Sequence, residues 1–184
     1  MYKELYIRVK KLFINPDKEW ASIYLEKMSV RDIFFSYSMP LILISTLAVF
    51  IGSLINYHEA RLDVALIHAA YTLVAFMVSL ITAYFLMLKL IPVLNVKSDK
   101  ETIFKLIALP SLLIYITHLI VTLFPEIFFI RLLNLYAAFI IWEGYSHLFG
   151  FDKHKKVLLA FITSAFVLLL PLGVFQILYR ITGL

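Results

Sequence analysis

Apolar residues run along this chain in five long segments that short polar links separate. The segments cover about residues 34–57, 64–91, 103–124, 126–149 and 157–179. An α-helix rises about 1.5 Å per residue, so roughly 20 apolar residues cross the ~30 Å hydrocarbon layer of a bilayer. The pattern therefore predicts five transmembrane helices, which together form a membrane domain at residues 33–184.

Residues 1–32 show a different pattern, in which apolar and charged side chains share short helices. Apolar residues recur at helical spacing through residues 2–14, and basic residues lie largely off that stripe, as in a helix that lies in the headgroup plane. Asn15-Pro16-Asp17 then predicts a new helix start, because Asn caps helices and proline suits the first helical position. We therefore expect an all-α integral membrane protein with two short amphipathic interfacial helices before its five spans.

Several residues of these helices are expected to have structural roles. Trp20 and Tyr24 are predicted to anchor the second helix at headgroup depth, where aromatic residues are enriched. Ser29 and Ser98 each precede an acidic residue by three positions, the spacing of a capping box. Small residues allow close helix packing, and the candidates are Ala75, Ser79, Ala83 and Gly144. Prolines bend helices, and the candidates are Pro40, Pro110 and Pro171. The bends at Pro40 and Pro110 either open a groove toward the cytoplasm or only fit the helices together.

Composition agrees with a lipid environment. The 184 residues are 62% hydrophobic and 16% charged, and a single small globule cannot bury that much apolar surface. The chain has no cysteine and a net charge of +5. Because the cations flank apolar segments, we expect them to meet anionic lipid headgroups, and we expect no nucleic acid partner.

The basic residues also predict the topology. Five spans put the two chain ends on opposite sides, and 14 of the 17 Lys and Arg residues fall on the side of the N-terminus. Positively charged links stay in the cytoplasm. The N-terminus is therefore predicted to be cytoplasmic and the C-terminus to be outside.

The third and fourth spans form a hairpin that carries most of the polar residues at membrane depth. Its turn is Leu123-Phe124-Pro125-Glu126, so residues at equal distance from Pro125 are expected at equal depth. That places His118 beside Arg131, and Lys105 beside Glu143 as an ion pair. Intramembrane ionisable groups often mark a path for protons or solutes; the candidate site comprises His118, Arg131, Asn134, Glu143, His147 and Lys105. Alternatively, the cations reach the interfaces and Glu143 is a structural partner.

No catalytic, cofactor or metal motif supports an enzyme. The sequence has no glycine-rich phosphate loop, no HExxH and no convincing Ser/His/Asp set. His58, Glu59 and Asp63 are poorly spaced for a closed metal site, and a solvated link is the simpler interpretation. We therefore predict no catalytic residue, no cofactor and no metal.

A 70-residue offset relates the first and third spans. Ile33-Phe34 with Pro40 and Ile44 recurs as Ile103-Phe104 with Pro110 and Ile114. The match fades after Ile114. It indicates either a parallel duplication of two spans or chance similarity between apolar sequences.

The order of several short motifs resembles the Yip family of membrane proteins, named for interaction with Ypt/Rab GTPases. The motifs are Asn15-Pro16 with Glu19-Trp20, Phe34 to Pro40, Ala108-Leu109-Pro110, and Tyr136 followed by Gly144. The resemblance covers the chain from about Phe13 onward and implies five spans, a cytoplasmic N-terminus and no catalysis.

The family resemblance also implies a class of function. It implies Rab binding for eukaryotic members, which carry a long cytosolic N-terminal region. Only about thirty residues precede the first span here, so we do not expect a Rab-type partner. The chain is similar to the short prokaryotic members of a cytoplasmic membrane. The predicted function is a scaffold or adaptor that binds other membrane proteins, itself or lipids. The alternative is a small transporter or channel subunit that uses the polar residues of the hairpin.

Overall fold

The computed structural model describes residues 2–56, 61–96, 98–148 and 153–182, and these residues are almost entirely helical. The helices are α1 (Tyr2–Ile14), α2 (Pro16–Leu25), α3 (Val30–Ile33), a π-helical segment (Phe34–Ser38), α4 (Met39–Asn56), α5 (Leu62–Val93), α6 (Lys100–Leu123), a 3₁₀ segment (Pro125–Leu135), α7 (Tyr136–Leu148) and α8 (Lys153–Thr182).

Five stretches of helix in the described residues are long and apolar enough to cross a membrane. They are Val30–Ile55, Leu62–Val93, Lys100–Leu123, Pro125–His147 and His154–Ile181. Two short helices precede them. The fold class predicted from the sequence is therefore confirmed.

The start of the first span follows from its capping residues. Ser29 Oγ accepts from the Asp32 backbone N–H, and Asp32 Oδ2 accepts from the Ser29 N–H, which completes the predicted capping box. The box predicted at Ser98 is wrong, because Asp99 is the N-cap of α6 and makes no side-chain cap bond, while the Ser98 hydroxyl donates to the Asp99 carbonyl.

The hairpin turn lies at one end of the bundle, which we call the turn side. Phe124 is the C-cap of α6 and Pro125 begins the 3₁₀ segment, as the sequence predicts. A 3₁₀ helix of 11 residues exceeds the usual three or four, and Ile127 interrupts it with non-helical backbone angles. The opposite end, which holds α1 and α2, is the N-terminal side.

Small residues bring the central helices together. Ala75, Ser79 and Ala83 of α5 are all buried, and Ser79 and Ala83 line a void of about 10 Å³ shared with α6 and α8. At Gly52 of α4, a Cβ atom would lie 2.6 Å from the carbonyl oxygen of Thr122. Glycine therefore allows α4 to approach the backbone of α6 more closely than any side chain would.

The two N-terminal helices pack part of their apolar surface on the protein, and the anchor role predicted for Trp20 is wrong. Leu5 and Leu12 of α1 are buried in the core, whereas Tyr6 is exposed. Trp20 is completely buried and is not a lipid anchor: its ring touches Gly144 and its Nε1–H donates to the Ile140 carbonyl at 2.8 Å. Tyr24, on the outer face of α2, is 61% exposed, and is free to lie in an interface.

An inward-facing ion network also holds α1 on α2. Arg8 donates to Glu19 and to Glu26, each at 2.6 Å, and its guanidinium lies 5.6 Å from the centre of the Tyr37 ring. Burial disfavours the charged form of Arg8, but hydrogen bonds to Glu26 and Tyr37 outweigh it and raise the pKa of Arg8 above its ordinary value. Arg8 therefore points toward α2, and the exposed basic residues of α1 are its lysines.

Candidate functional site

The candidate site is a pair of adjacent cavities on the turn side, each of about 530 Å³. That volume is in the range of small-molecule pockets, about 300–1,000 Å³. Four residues line both cavities: His118, Arg131, Phe175 and Tyr179. His118 and Arg131, which the sequence places at equal depth, therefore both line the junction of the two cavities.

One cavity, which we call the polar lobe, lies between the ends of α4, α5, α6 and α8. Its polar lining comes from residues on five helical elements: Ser53, His68, Thr72, His118, Thr122, Arg131 and Tyr179. The Ser53 hydroxyl lies 3.4 Å from His68 Nδ1, and this contact links α4 to α5. The hydroxyls of Thr72 and Thr122 donate to carbonyls of their own helices.

The other cavity, the apolar lobe, lies between α8 and the 3₁₀ segment. Leucines dominate its lining: Leu135, Leu168, Leu169 and Leu172. Leu135, Leu169 and Leu172 are each more than 60% exposed. They form a rim that faces away from the bundle, toward the lipid that surrounds a membrane-spanning helix.

His118 forms the wall between the lobes. Its ring stacks on Phe175 at 5.6 Å and meets Phe76 edge-on at 5.1 Å, measured between ring centroids. Its Nε2 is buried and has no hydrogen-bond partner among the described residues. A buried polar atom left without a partner costs about 1–3 kcal/mol.

Arg131 and Asn134 reach the cavity together because of the 3₁₀ geometry. With three residues per turn, side chains at i and i+3 eclipse one another, so both project from the same row of the segment. Asn134 Oδ1 accepts a hydrogen bond from the Thr117 hydroxyl of α6. Arg131 has no ion-pair partner in the part of the chain that the structure describes.

Glu143 and His147 lie elsewhere, with Asp17 on the N-terminal side. His147 Nε2 is 2.6 Å from Asp17 Oδ1, and ligand atoms of Asp17, Glu143 and His147 lie within 4.8 Å of one another. At ~2.0 Å per residue in the 3₁₀ segment and ~1.5 Å in α7, Glu143 is roughly 20 Å along the chain axis from Arg131. The buried apolar Ala137, Ile140 and Ile141 lie between. The predicted relay residues are thus divided into two groups.

The predicted Lys105–Glu143 ion pair is wrong. The Lys105 ammonium donates to the carbonyls of Ile23 at 3.0 Å and Glu26 at 2.7 Å. These carbonyls lie at the end of α2, where a cation is favourable; the Ile23 carbonyl also accepts from the Glu26 N–H, and Lys105 adds a second donor. Lys105 is therefore a capping residue that fixes α2 to α6.

The Asp17, Glu143 and His147 cluster has the ligand types of a metal site. The short His147–Asp17 contact already satisfies two of the three groups, and acidic groups at a surface are common without a metal ion. Asp17 and His147 are 130 residues apart in the sequence, so no local spacing pattern could predict this cluster. Asp63 instead contacts Arg61 at 2.6 Å, and the predicted neighbours His58 and Glu59 lie outside the described residues.

The predicted kink residues differ in their relation to the cavities. Pro171 of α8 lines the apolar lobe, and Pro125 lines the polar lobe. Pro40 and Pro110 are buried nearer the N-terminal side of α4 and α6. Phe76, Ile107 and Phe166 belong to a packed layer of α5, α6 and α8 around a void of about 10 Å³.

Sequence reasoning missed Thr117, Tyr179 and Phe175 as cavity residues. Thr117 lies one position before His118, so its i to i+1 spacing suggests a different face. Tyr179 and Phe175 lie on α8. No local sequence pattern specifies which residues of the hairpin this helix contacts.

Comparison with known proteins gives a family assignment. A family model described as the Yip1 domain matches residues 10–175, most of the chain. No curated protein and no solved structure gives a significant match.

Proposed function

Since this chain belongs to the Yip1 family, a family of membrane proteins, we propose that it is a non-enzymatic scaffold or adaptor that binds other membrane proteins or lipids. The observation that carries the proposal is the docking of α1 and α2 as a fixed part of the fold. A scaffold needs a surface of constant shape, and these helices supply one.

Three contacts from two spans hold this surface in place. Trp20 bonds to the Ile140 carbonyl of α7, Lys105 of α6 caps α2, and the Tyr136 hydroxyl donates to the Phe13 carbonyl at 3.1 Å. Exposed lysines outnumber the exposed acids Glu4 and Asp17 from α1 to the link after α2, and we call these lysines the basic platform: Lys3, Lys10, Lys11, Lys18 and Lys27. A fixed basic surface suits an acidic face of a partner or anionic headgroups.

The proposed location is a cytoplasmic membrane of prokaryotic type, with the basic platform in the cytoplasm. The bias of basic residues toward the N-terminal side, 14 of 17, supports this orientation. The cavities on the turn side would then face outward.

Crosslinking in the native membrane tests the scaffold role. A photo-crosslinker at Ser22, which is exposed on α2, is expected to give a discrete adduct with one partner. The triple substitution K10Q, K11Q and K18Q is expected to remove it. The control pair K89Q and K100Q removes exposed lysines outside the basic platform and should leave the adduct unchanged. No discrete adduct, or equal loss in both variants, would overturn the proposal.

Transport remains the second candidate, because the polar lobe gathers ionisable residues at membrane depth. The packed layer beside Phe76 favours a site that binds a ligand over a continuous path for ions or solutes in this conformation. Flux assays in proteoliposomes separate the two functions. The scaffold role predicts no ion or solute flux above that of empty vesicles, whereas a transporter would show flux that Arg131→Gln abolishes.

A further inference from the structure

The two lobes of the cavity differ in chemistry but share one junction. The polar lobe brings hydroxyl and imidazole groups to Arg131, and the apolar lobe leads from the same arginine to an exposed leucine rim. A polar end and an apolar end joined at one cation match the two ends of an amphiphile.

The charge of the residues that line the cavity determines which charge the polar end of a bound amphiphile should carry. The residues that line the two lobes include Arg131, His68 and His118, and neither lining includes an Asp or Glu among the described residues. A guanidinium without an ion-pair partner binds phosphate or carboxylate through paired N–H donors. The polar lobe is therefore complementary to an anion.

The position of the apolar lobe indicates where the ligand comes from. Its rim residues Leu135, Leu169 and Leu172 are exposed and belong to the 3₁₀ segment and to α8, and both elements are part of membrane spans. A chain of methylene groups can thus enter sideways between them without leaving the hydrocarbon layer.

We propose that this cavity binds one anionic phospholipid, with its phosphate group at Arg131 in the polar lobe and an acyl chain between α8 and the 3₁₀ segment in the apolar lobe. His118 separates the two parts and packs between Phe76 and Phe175. The inference deepens the lipid-binding part of the proposed function and names its ligand. It does not depend on the basic platform, which lies at the other end of the bundle.

Lipid titration of the purified full chain tests the site. Native mass spectrometry in a neutral detergent would compare phosphatidylglycerol with phosphatidylcholine of the same acyl chains. We expect one phosphatidylglycerol to bind about tenfold or more tightly, as a charge-assisted bond worth ~1.5 kcal/mol or more implies. Arg131→Gln should remove this preference. Arg180→Gln, the matched loss of an exposed arginine on the same side, should retain it.

A second pair of variants tests the apolar lobe independently. Leu172→Trp fills the rim and should weaken lipid binding several-fold, whereas Ile177→Trp, at an exposed position of α8 outside the lining, should not. Glycerol phosphate, which lacks acyl chains, should compete poorly.

Three results would overturn the inference. They are equal binding of the two lipids, equal effects of Arg131→Gln and Arg180→Gln, and displacement of the lipid by an equal concentration of glycerol phosphate. Crosslinking at the basic platform should be unchanged in Arg131→Gln. Failure of the lipid site and failure of the scaffold role are thus read from different experiments.

Discussion

The indole of Trp20 occupies the space that a side chain at position 144 would need. A Cβ atom at Gly144 would lie 2.8 Å from two atoms of the Trp20 ring and 2.7 Å from Leu106 Cδ2. Cβ atoms in proteins essentially never make contacts shorter than 3.0 Å. The indole is a rigid ring, so it cannot move aside as easily as the end of a flexible side chain. Helix α2 can therefore dock on α7 in this position only because residue 144 has no side chain.

Gly144→Ala is expected to lower the stability of the folded protein by about 1–3 kcal/mol, because overpacking displaces the ring. Thermal unfolding in detergent, followed by size-exclusion chromatography, measures the loss. Gly173→Ala is the control, since no atom lies within 4 Å of a Cβ there; it should have no cost, as alanine favours helix. Equal melting temperatures of Gly144→Ala and wild type would contradict this account.

Lys105→Met should loosen the end of α2 while leaving the spans folded. The substitution removes the donor from the carbonyls of Ile23 and Glu26, at a cost of about 1–3 kcal/mol. Limited proteolysis after Lys27 should become faster. Glu143→Gln should not show this effect, because Lys105 does not pair with Glu143. A similar cleavage rate in both variants would restore the ion-pair interpretation.

Removing Arg8 should destabilise the protein more than removing it together with its partner. Glu19 is buried, and Arg8→Gln leaves its carboxylate without the cation at 2.6 Å; breaking such a pair costs about 3–5 kcal/mol. The double variant Arg8→Gln with Glu19→Gln should recover much of the loss. A double-mutant cycle of unfolding measurements gives the coupling, and strict additivity would exclude it.

His118→Phe is expected to leave stability unchanged or to raise it. The ring already packs against two phenylalanines, and the substitution removes the buried Nε2 that has no partner in the described residues. Thermal unfolding checks the direction, with Thr117→Val as a comparison that breaks the hydrogen bond to Asn134 and should destabilise. A marked loss of stability in His118→Phe would mean that Nε2 is bonded after all.

The proposed orientation can be tested with the cysteine-free chain. Single cysteines at Ser22 and Arg180, both exposed and at opposite ends of the fold, should react with a membrane-impermeant maleimide from opposite sides. In intact cells only the cysteine at position 180 should be labelled, and permeabilised cells provide the control for both. Labelling of both positions in intact cells would refute five spans with this topology.

The spans were predictable from sequence because each depends on local information. Length and apolar character alone identify a crossing segment, and the cap at Ser29 depends on a partner three residues away. The cap predicted at Ser98 failed although its spacing is the same, because Asp99 took the capping position. Spacing permits a cap, but the backbone geometry decides which residue forms it.

The docking of α1 and α2 was not predictable in the same way. An apolar stripe has the same spacing whether it meets lipid or protein, so Leu12 and Trp20 gave no sign of burial in the core. Lys105 shows the same limit: equal depth across a hairpin places it near Glu143, but its actual partners are carbonyls about 80 residues earlier. His118 and Arg131 line the same two cavities, and their equal distance from a short turn is what local sequence can indicate.

The 70-residue offset between the first and third spans stays a prediction. Ser45 Oγ donates to the Tyr115 carbonyl at 2.7 Å, and these two residues are separated by that same offset. The contact joins α4 and α6 at equivalent positions of the suggested repeat, which is consistent with duplication.

The 3₁₀ segment has a consequence for the surface of the fourth span. A stripe of side chains three and four apart winds slowly around an α-helix, but positions three apart in a 3₁₀ helix line up. Phe129, Leu132 and Leu135 are all exposed and stand at this spacing, so they make a straight ridge parallel to the segment. An extended hydrocarbon tail is also straight, and it can lie beside such a ridge along its whole length.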